Sequence, residues 1–200
     1  NMLSQRGLER LKDPDMPGLM SKHAEQLIKL GNTRDHFDQL KDCDWIAEAV
    51  VERLDVKQAL YKQLNDNCKE STIITSNTST IPISLLTKGM PLSFCERFAI
   101  THFFNPVRFM RLLELVRGEQ TRKDVMETLD TFCETMLGKG VVSCSDTPGF
   151  LANRVGVFAI QCALHKAFEY KLSPTEADAF FGRPLGLPKT GVFGLYDLIG

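Results

Sequence analysis

No stretch of this sequence is long and apolar enough to span a bilayer. The longest apolar runs, such as VGVFAI at 155–160, fall far below the ~18 residues that a spanning helix needs. Charge of one sign is not in excess either. Lys and Arg number 24 against 25 for Asp and Glu, a net charge of -1. Neither nucleic acid nor an anionic membrane surface is therefore an expected partner. The six cysteines (Cys43, Cys68, Cys95, Cys133, Cys144 and Cys162) form no C-x-x-C pair and have no histidine at zinc-finger spacing. They read as reduced thiols of a cytoplasmic protein, not as a disulfide frame or a metal site. Internal repeats and low-complexity tracts are absent, and so is any G-x-G-x-x-G turn. GKGVVS at 138–143 lacks the third glycine and precedes a strand. The opening NMLSQRGLERLKDPD carries charge from Arg6 onward and does not resemble a secretory signal. Asn1 stands before Met2, which predicts either an added leading residue or a segment cut from something longer.

What is there is ordinary globular material: 200 residues, 43% hydrophobic and 24% charged, enough for one large domain or two small ones. The first 40 residues read as helix, turn (DPDMPG), helix and a short NTRDHF segment. DWIAEAVV is a compact apolar run suited to a buried strand. In the following RLDVKQALYKQLNDNC, Val56, Leu60 and Leu64 mark one helical face. STIITSN is β-branched and strand-like, and TIPISLL begins a short helix or turn. FAITHFF and RLLELV are two more strands. Val125, Leu129, Phe132 and Met136 predict a helix over 122–138, and GVVSC completes five strand candidates in strand–helix alternation. The expected class is α/β.

At DTPGF the pattern changes. Thr147 is a candidate cap with Pro148 at the first helical position. From Phe150 to Phe168 the chain is apolar on most faces, as in a helix buried between others. LSPTEADAFFG predicts a second helix with a Ser173 cap and Pro174 at its first position. RPLGLPKTGVFGLYDLIG is punctuated by Gly and Pro. The expectation is an α/β part over 1–146 and a helical part over 147–200.

Several polar groups mark the ends of these elements. Ser79 follows the strand STIITSN, His102 ends FAIT, Asn105 sits at the next turn, Glu114 lies on the following strand, and Asn153 is one turn into the long helix. Ligands of α/β sheets bind at the carboxyl ends of strands. A histidine paired with a carboxylate is the usual general base, because the carboxylate fixes the tautomer and stabilises the imidazolium. The bland alternatives are a satisfied core histidine, a strand-terminating serine, a helix-bridging asparagine and a solvent-facing Glu114.

DWIAEAVVERLDVK, SNTSTIPI, THFFNPVRFMRLLEL, GKGVVSCSDTPGFLANR and GRPLGLPKTGVFGLYDLIG closely resemble the L-3-hydroxyacyl-CoA dehydrogenases of fatty-acid β-oxidation. HFFNPVRFM with GNTRDHFDQLKDCDWIAE is similar to the long bacterial multifunctional forms. The resemblance is strong from about residue 30 to 200 and weak before that. It implies NAD-dependent oxidation of 3-hydroxyacyl-CoA to 3-ketoacyl-CoA, with His102 as base, Glu114 orienting it, and Ser79 and Asn153 bonding the reacting oxygens. It further implies that Glu52, Lys57, Asn105 and Ser79 touch the cofactor. The family opens with a strand and a glycine-rich turn for the pyrophosphate, which this sequence does not contain. The expected fold is thus an incomplete Rossmann-like NAD-binding sheet lacking its first βαβ unit, followed by the beginning of an all-helical domain. Weak NAD binding by this chain alone follows. With two strands absent, DWIAEAVV becomes a sheet edge, apolar on both faces, and a homo-oligomer associating through residues 45–51 is expected. Two rivals remain at this stage: a Ser79–His102–Glu114 hydrolase, which lacks the G-x-S-x-G elbow, and an inactive fragment with a structural or partner-binding role.

Overall fold

The computed structural model describes residues 2–15, 17–186 and 190–199. Two compact units divide the chain, Asn1–Phe150 and Leu151–Gly200. The first is built on a five-stranded sheet in the order β1 (Trp45–Glu48), β2 (Ile73–Ser76), β3 (Phe98–Phe103), β4 (Leu112–Arg117), β5 (Gly140–Cys144). β1, β2 and β3 run parallel, β4 is antiparallel to β3, and β5 is parallel to β4. All five strand candidates form, and the class is α/β. Among the described residues β1 has one strand neighbour, β2, so it is an edge.

Helix α1 (Met2–Leu11) precedes the sheet, α2 (Leu54–Asn67) joins β1 to β2, and the short α3 (Ile83–Leu86) and α4 (Leu92–Cys95) join β2 to β3. Helix α5 (Lys123–Thr135) joins β4 to β5. On one face of the sheet Ile74, Phe98, Ile100 and Val116 pack with Tyr61 and Leu64 of α2, Leu86 of α3 and Phe94 of α4. Tyr61, Phe94 and Phe98 form a ring cluster with centroids 5.1–5.8 Å apart, and each such pair adds about 0.5–1.5 kcal/mol beyond area burial. On the other face Ala99 and Leu115 pack under Val125 and Leu129 of α5. The hydroxyls on that face are satisfied across strands: Trp45 Nε1 donates to Thr75 Oγ1 at 2.9 Å, and Thr101 Oγ1 donates to the same oxygen at 2.8 Å.

The structure corrects several local expectations. The second N-terminal helix is a six-residue 3-10 segment, Lys22–Leu27. β1 stops at Glu48, short of the expected Val51, because the Glu48 carboxylate takes the Val50 N–H at 2.6 Å and turns the chain toward α2. The buried face of α2 is Lys57, Tyr61 and Leu64, rotated from the Val56–Leu60–Leu64 face. On α5 the third buried position is Cys133, while Phe132 is half exposed with its ring edge-on to Trp45 at 5.7 Å, and Met136 is exposed.

Thr147 and Pro148 do not start a helix. They lie in a turn in which the Phe150 N–H donates to the Thr147 carbonyl at 2.9 Å, with Gly149 and Phe150 at φ 74° and 44°. In the second unit helix α6 (Ala152–Glu169) begins after that turn, and its buried residues are Ala163 and Ala167. Its large side chains Phe158 and Phe168 are exposed, where a helix buried between others was expected. Helix α7 (Pro174–Phe180) has the expected Ser173 cap, which forms a full capping box with Glu176. Helix α8 (Phe193–Ile199) follows, and Asp178 accepts the backbone N–H groups of Val192, Phe193 and Gly194 at 2.7–3.0 Å. Part of the Gly/Pro-punctuated tail, 187–189, lies outside the described residues. No helix among the described residues is long and apolar enough to cross a membrane.

Candidate active site

Three of the sequence-derived candidates meet the same end of the sheet for a topological reason. β2 and β3 are parallel neighbours, so their carboxyl ends share one edge. His102 lies near the end of β3, and Ser79 lies in the loop that leaves β2. β4 returns antiparallel, which sets Glu114 directly opposite His102 in register. His102 Nδ1 and Glu114 Oε2 are 2.7 Å apart, with both side chains buried. A carboxylate on Nδ1 makes that nitrogen the donor, leaving the lone pair of the neutral ring on Nε2. Glu114 is therefore not a solvent-facing strand residue. The rings of Phe104 and Phe150 stand edge-on to the imidazole, with centroids 4.6 and 5.6 Å from its own. Phe150 takes its place from the left-handed region, which a bulky side chain enters only when its surroundings hold it there.

The loop after β2 is organised by one carboxylate. Glu52 Oε1 accepts the hydroxyl of Thr78 in a short hydrogen bond, the N–H of Ser79 at 3.2 Å and the hydroxyl of Thr80 at 3.1 Å. Burial pushes the Glu52 carboxyl up, but the Thr78 hydroxyl and Lys57 together hold it below the usual carboxylate range. On the far side of the loop, Asn77 Oδ1 accepts the N–H of Phe103 at 2.8 Å and ties the loop to the end of β3. Ser79 itself is half-buried. No hydrogen bond joins it to His102 among the described residues, so the Ser–His–Glu hydrolase geometry is not assembled.

Lys57 is turned inward, 1% exposed in its side chain, with Nζ 2.8 Å from Glu48 Oε1, 3.3 Å from Glu52 Oε2 and 3.5 Å from the Val50 carbonyl. All three ammonium donors are thus directed at this chain's own oxygens. Asn105 is exposed, at the turn after β3. Asn153 is the second residue of α6, in the other unit.

Sequence reasoning missed the group behind the loop. Glu48 is buried, and its Oε2 accepts the Tyr61 hydroxyl at 2.6 Å and the Ser76 hydroxyl at 2.7 Å. The desolvated Tyr61 phenol beside this carboxylate is shifted upward. One signal was available: Glu48 is the one charged residue in the apolar run WIAEAVV, and Lys57 and Tyr61 follow at helical spacing.

The family described as 3-hydroxyacyl-CoA dehydrogenase, NAD binding domain, matches residues 4–147. The family described as 3-hydroxyacyl-CoA dehydrogenase, C-terminal domain, matches residues 149–200. The chain belongs to the 3-hydroxyacyl-CoA dehydrogenase family. It is 41% identical over 200 residues to a putative fatty acid oxidation complex trifunctional enzyme of Rickettsia prowazekii, covering 100% of this chain and 28% of that protein. It is 39% identical over 200 residues to a probable 3-hydroxyacyl-CoA dehydrogenase of Deinococcus radiodurans, covering 100% of this chain and 58% of that protein. Among solved structures, (S)-3-hydroxybutyryl-CoA dehydrogenase PaaH1 from Ralstonia eutropha superposes with a TM-score of 0.78 at 32% identity, covering 98% of this chain and 67% of that one. The chain thus spans between about a quarter and three-fifths of the length of these two curated relatives.

For a family whose first domain binds NAD, the chain's own helix starts are informative. Helix α2, which starts at the carboxyl end of β1, carries an acidic residue in its first turn, Asp55, hydrogen-bonded to Arg53 just before the helix. A carboxylate there opposes a pyrophosphate at the helix N-terminus.

Proposed function

We propose that the whole protein oxidises L-3-hydroxyacyl-CoA to 3-ketoacyl-CoA with NAD⁺, in fatty-acid β-oxidation and within a multifunctional chain. The observation that carries this reading is the buried His102–Glu114 pair, 2.7 Å apart at the carboxyl end of the parallel strands, in a chain of this family. In the reaction the substrate 3-hydroxyl gives its proton to His102 Nε2 and the C3–O bond becomes a carbonyl. The hydride of C3 leaves with its electron pair, and NAD, when bound, supplies the acceptor for it. His102 gains positive charge as the carbonyl forms, and Glu114, on the other ring nitrogen, stabilises that charge. A base so placed is typically worth ~10²–10⁴ in rate. Ser79 and Asn153 would hydrogen-bond the reacting oxygen, Ser79 and Glu52 would touch the cofactor, and Asn105 would lie near its nicotinamide. Lys57, with its donors spent on Glu48, Glu52 and the Val50 carbonyl, serves the cofactor through Glu52. The division at residues 146–147 separates the NAD-binding part from the helical part. NADH formation from L-3-hydroxyacyl-CoA by the whole protein is the test.

The compartment is the cytoplasm: the six cysteines are free thiols, which suits a reducing environment. The chain itself associates into a homo-oligomer through β1. That strand has a single strand neighbour among the described residues, and Val51 just beyond it is 59% exposed. An apolar edge without a proline or an edge lysine is a template for another strand.

A further inference from the structure

We propose that Glu48 is a positioning residue for the loop that carries Ser79, acting through Lys57 and Glu52; this rests on the dehydrogenase reading for its catalytic consequence, though not for its structural one. The carboxylate of Glu48 has two oxygens with separate tasks. Oε1 binds Lys57 Nζ at 2.8 Å, and Lys57 Nζ in turn binds Glu52 Oε2 at 3.3 Å. The other oxygen of Glu52, Oε1, holds Thr78, Ser79 and Thr80. Oε2 of Glu48 takes the Ser76 hydroxyl at 2.7 Å, and Ser76 Oγ receives the N–H of Thr78 at 3.3 Å. The loop is therefore held twice by one buried carboxylate, once through the Ser76 hydroxyl and once through an ammonium and a second carboxylate.

The charge balance explains why the relay needs all three ions. Glu48 and Glu52 are like charges brought together at the same site, and alone they would repel. Lys57, 1% exposed in its side chain, lies between them and is shielded from bulk solvent. Removing one member leaves a buried charge unpaired, which is far costlier than losing a surface pair. Glu52 is 39% exposed in its side chain, so it is the member free to move. Without Glu48 the ammonium can follow Glu52 outward, and the loop follows the carboxylate. Tyr61 provides the internal comparison for the ionic branch. Its hydroxyl meets Glu48 Oε2 at 2.6 Å, on the side of Ser76, and has no part in the Lys57–Glu52 branch.

The test compares Glu48→Gln with Tyr61→Phe in the whole protein, reading amide hydrogen exchange at Thr78 and Ser79 alongside kcat and KM for L-3-hydroxyacyl-CoA. Both variants remove one strong contact from the same buried cluster, so a loss of general stability affects both. Glu48→Gln is expected to speed exchange at Thr78 and Ser79 about tenfold relative to amides of β2 and β3, and to lower kcat about tenfold with KM changed less than about threefold. Tyr61→Phe is expected to leave both readouts near wild type. Equal acceleration in the two variants, or acceleration spread evenly over β2 and β3, would reduce Glu48 to a structural residue and overturn the proposal. If Glu48→Gln does not fold, Lys57→Met with the same exchange readout decides, since the relay predicts the same loop-confined change and its absence overturns the relay. A wild-type protein without NADH formation would count against the dehydrogenase reading, while the exchange result would still judge the relay.

Discussion

His102 and Glu114 are cross-strand partners: the antiparallel register of β3 and β4 sets them opposite one another, and Nδ1 meets Oε2 at 2.7 Å inside the sheet. Register, not loop geometry, fixes this pair. A one-residue slip between β3 and β4 would send one partner to the opposite face. The imidazole is thus as rigid as the strands that carry it, and the surrounding rings of Phe104 and Phe150 limit its rotation further.

Glu114→Gln should therefore lower kcat while leaving KM nearly unchanged. The amide can still meet Nδ1, but it cannot stabilise the cation that forms as the hydroxyl proton arrives. Steady-state kinetics with L-3-hydroxyacyl-CoA give the answer. A raised KM at constant kcat would instead assign Glu114 to substrate binding.

The Ser79 loop should loosen in acid. The Glu52 carboxyl is held below its ordinary value of 4.5, burial opposing and the Thr78 hydroxyl and Lys57 prevailing. A depressed folded value means that the stabilisation is fully present above the unfolded value and is lost as pH falls through the folded one. Exchange protection at the Ser79 amide, corrected for intrinsic rate, should hold from neutral pH to about 5 and fall below the ordinary carboxylate range. In Glu52→Gln the same amide should be weakly protected at every pH. Unchanged protection in that variant would detach the loop from Glu52.

The isolated chain should bind NAD weakly or not at all. It carries no G-x-G-x-x-G turn, and the first turn of α2 holds Asp55 where a pyrophosphate would need bare N–H groups. Calorimetry is the direct measurement. Micromolar affinity would mean that this chain builds a pyrophosphate site from other residues.

Association should run through β1. Light scattering at micromolar concentration should give a mass above the 22.5 kDa of one chain, and a proline at Ala47, which removes an edge N–H, should restore the monomer. A clean monomer in the unaltered chain contradicts the prediction.

The sheet was legible because its strands announce themselves: STIITSN, FAITHFF and RLLELV are β-branched or apolar runs bounded by polar turns. The buried side of α2 was not. Lys57 and Tyr61 look solvent-facing until Glu48, from β1, supplies their partner, and periodicity alone ranks a lysine outside the core. On α5 the small Cys133 takes the buried place that hydrophobicity assigns to Phe132, because the ring reaches sideways to Trp45. DTPGF misled for a similar reason. Pro148 after Thr147 has the form of a helix start, but Gly149 and Phe150 adopt positive φ and delay α6 to Ala152. The His102–Glu114 pair lay between the two extremes. Residue types and strand ends suggested it, and only the register shows the contact.

The central claim is most directly tested by following NADH formation from L-3-hydroxyacyl-CoA and NAD⁺ in the whole protein, unaltered and with His102→Ala. The account predicts turnover in the unaltered protein and a loss of at least about a hundredfold in the variant, the lower end of what a positioned general base contributes, with its circular dichroism spectrum unchanged. Equal turnover in the two proteins would remove His102 from the mechanism and contradict the account.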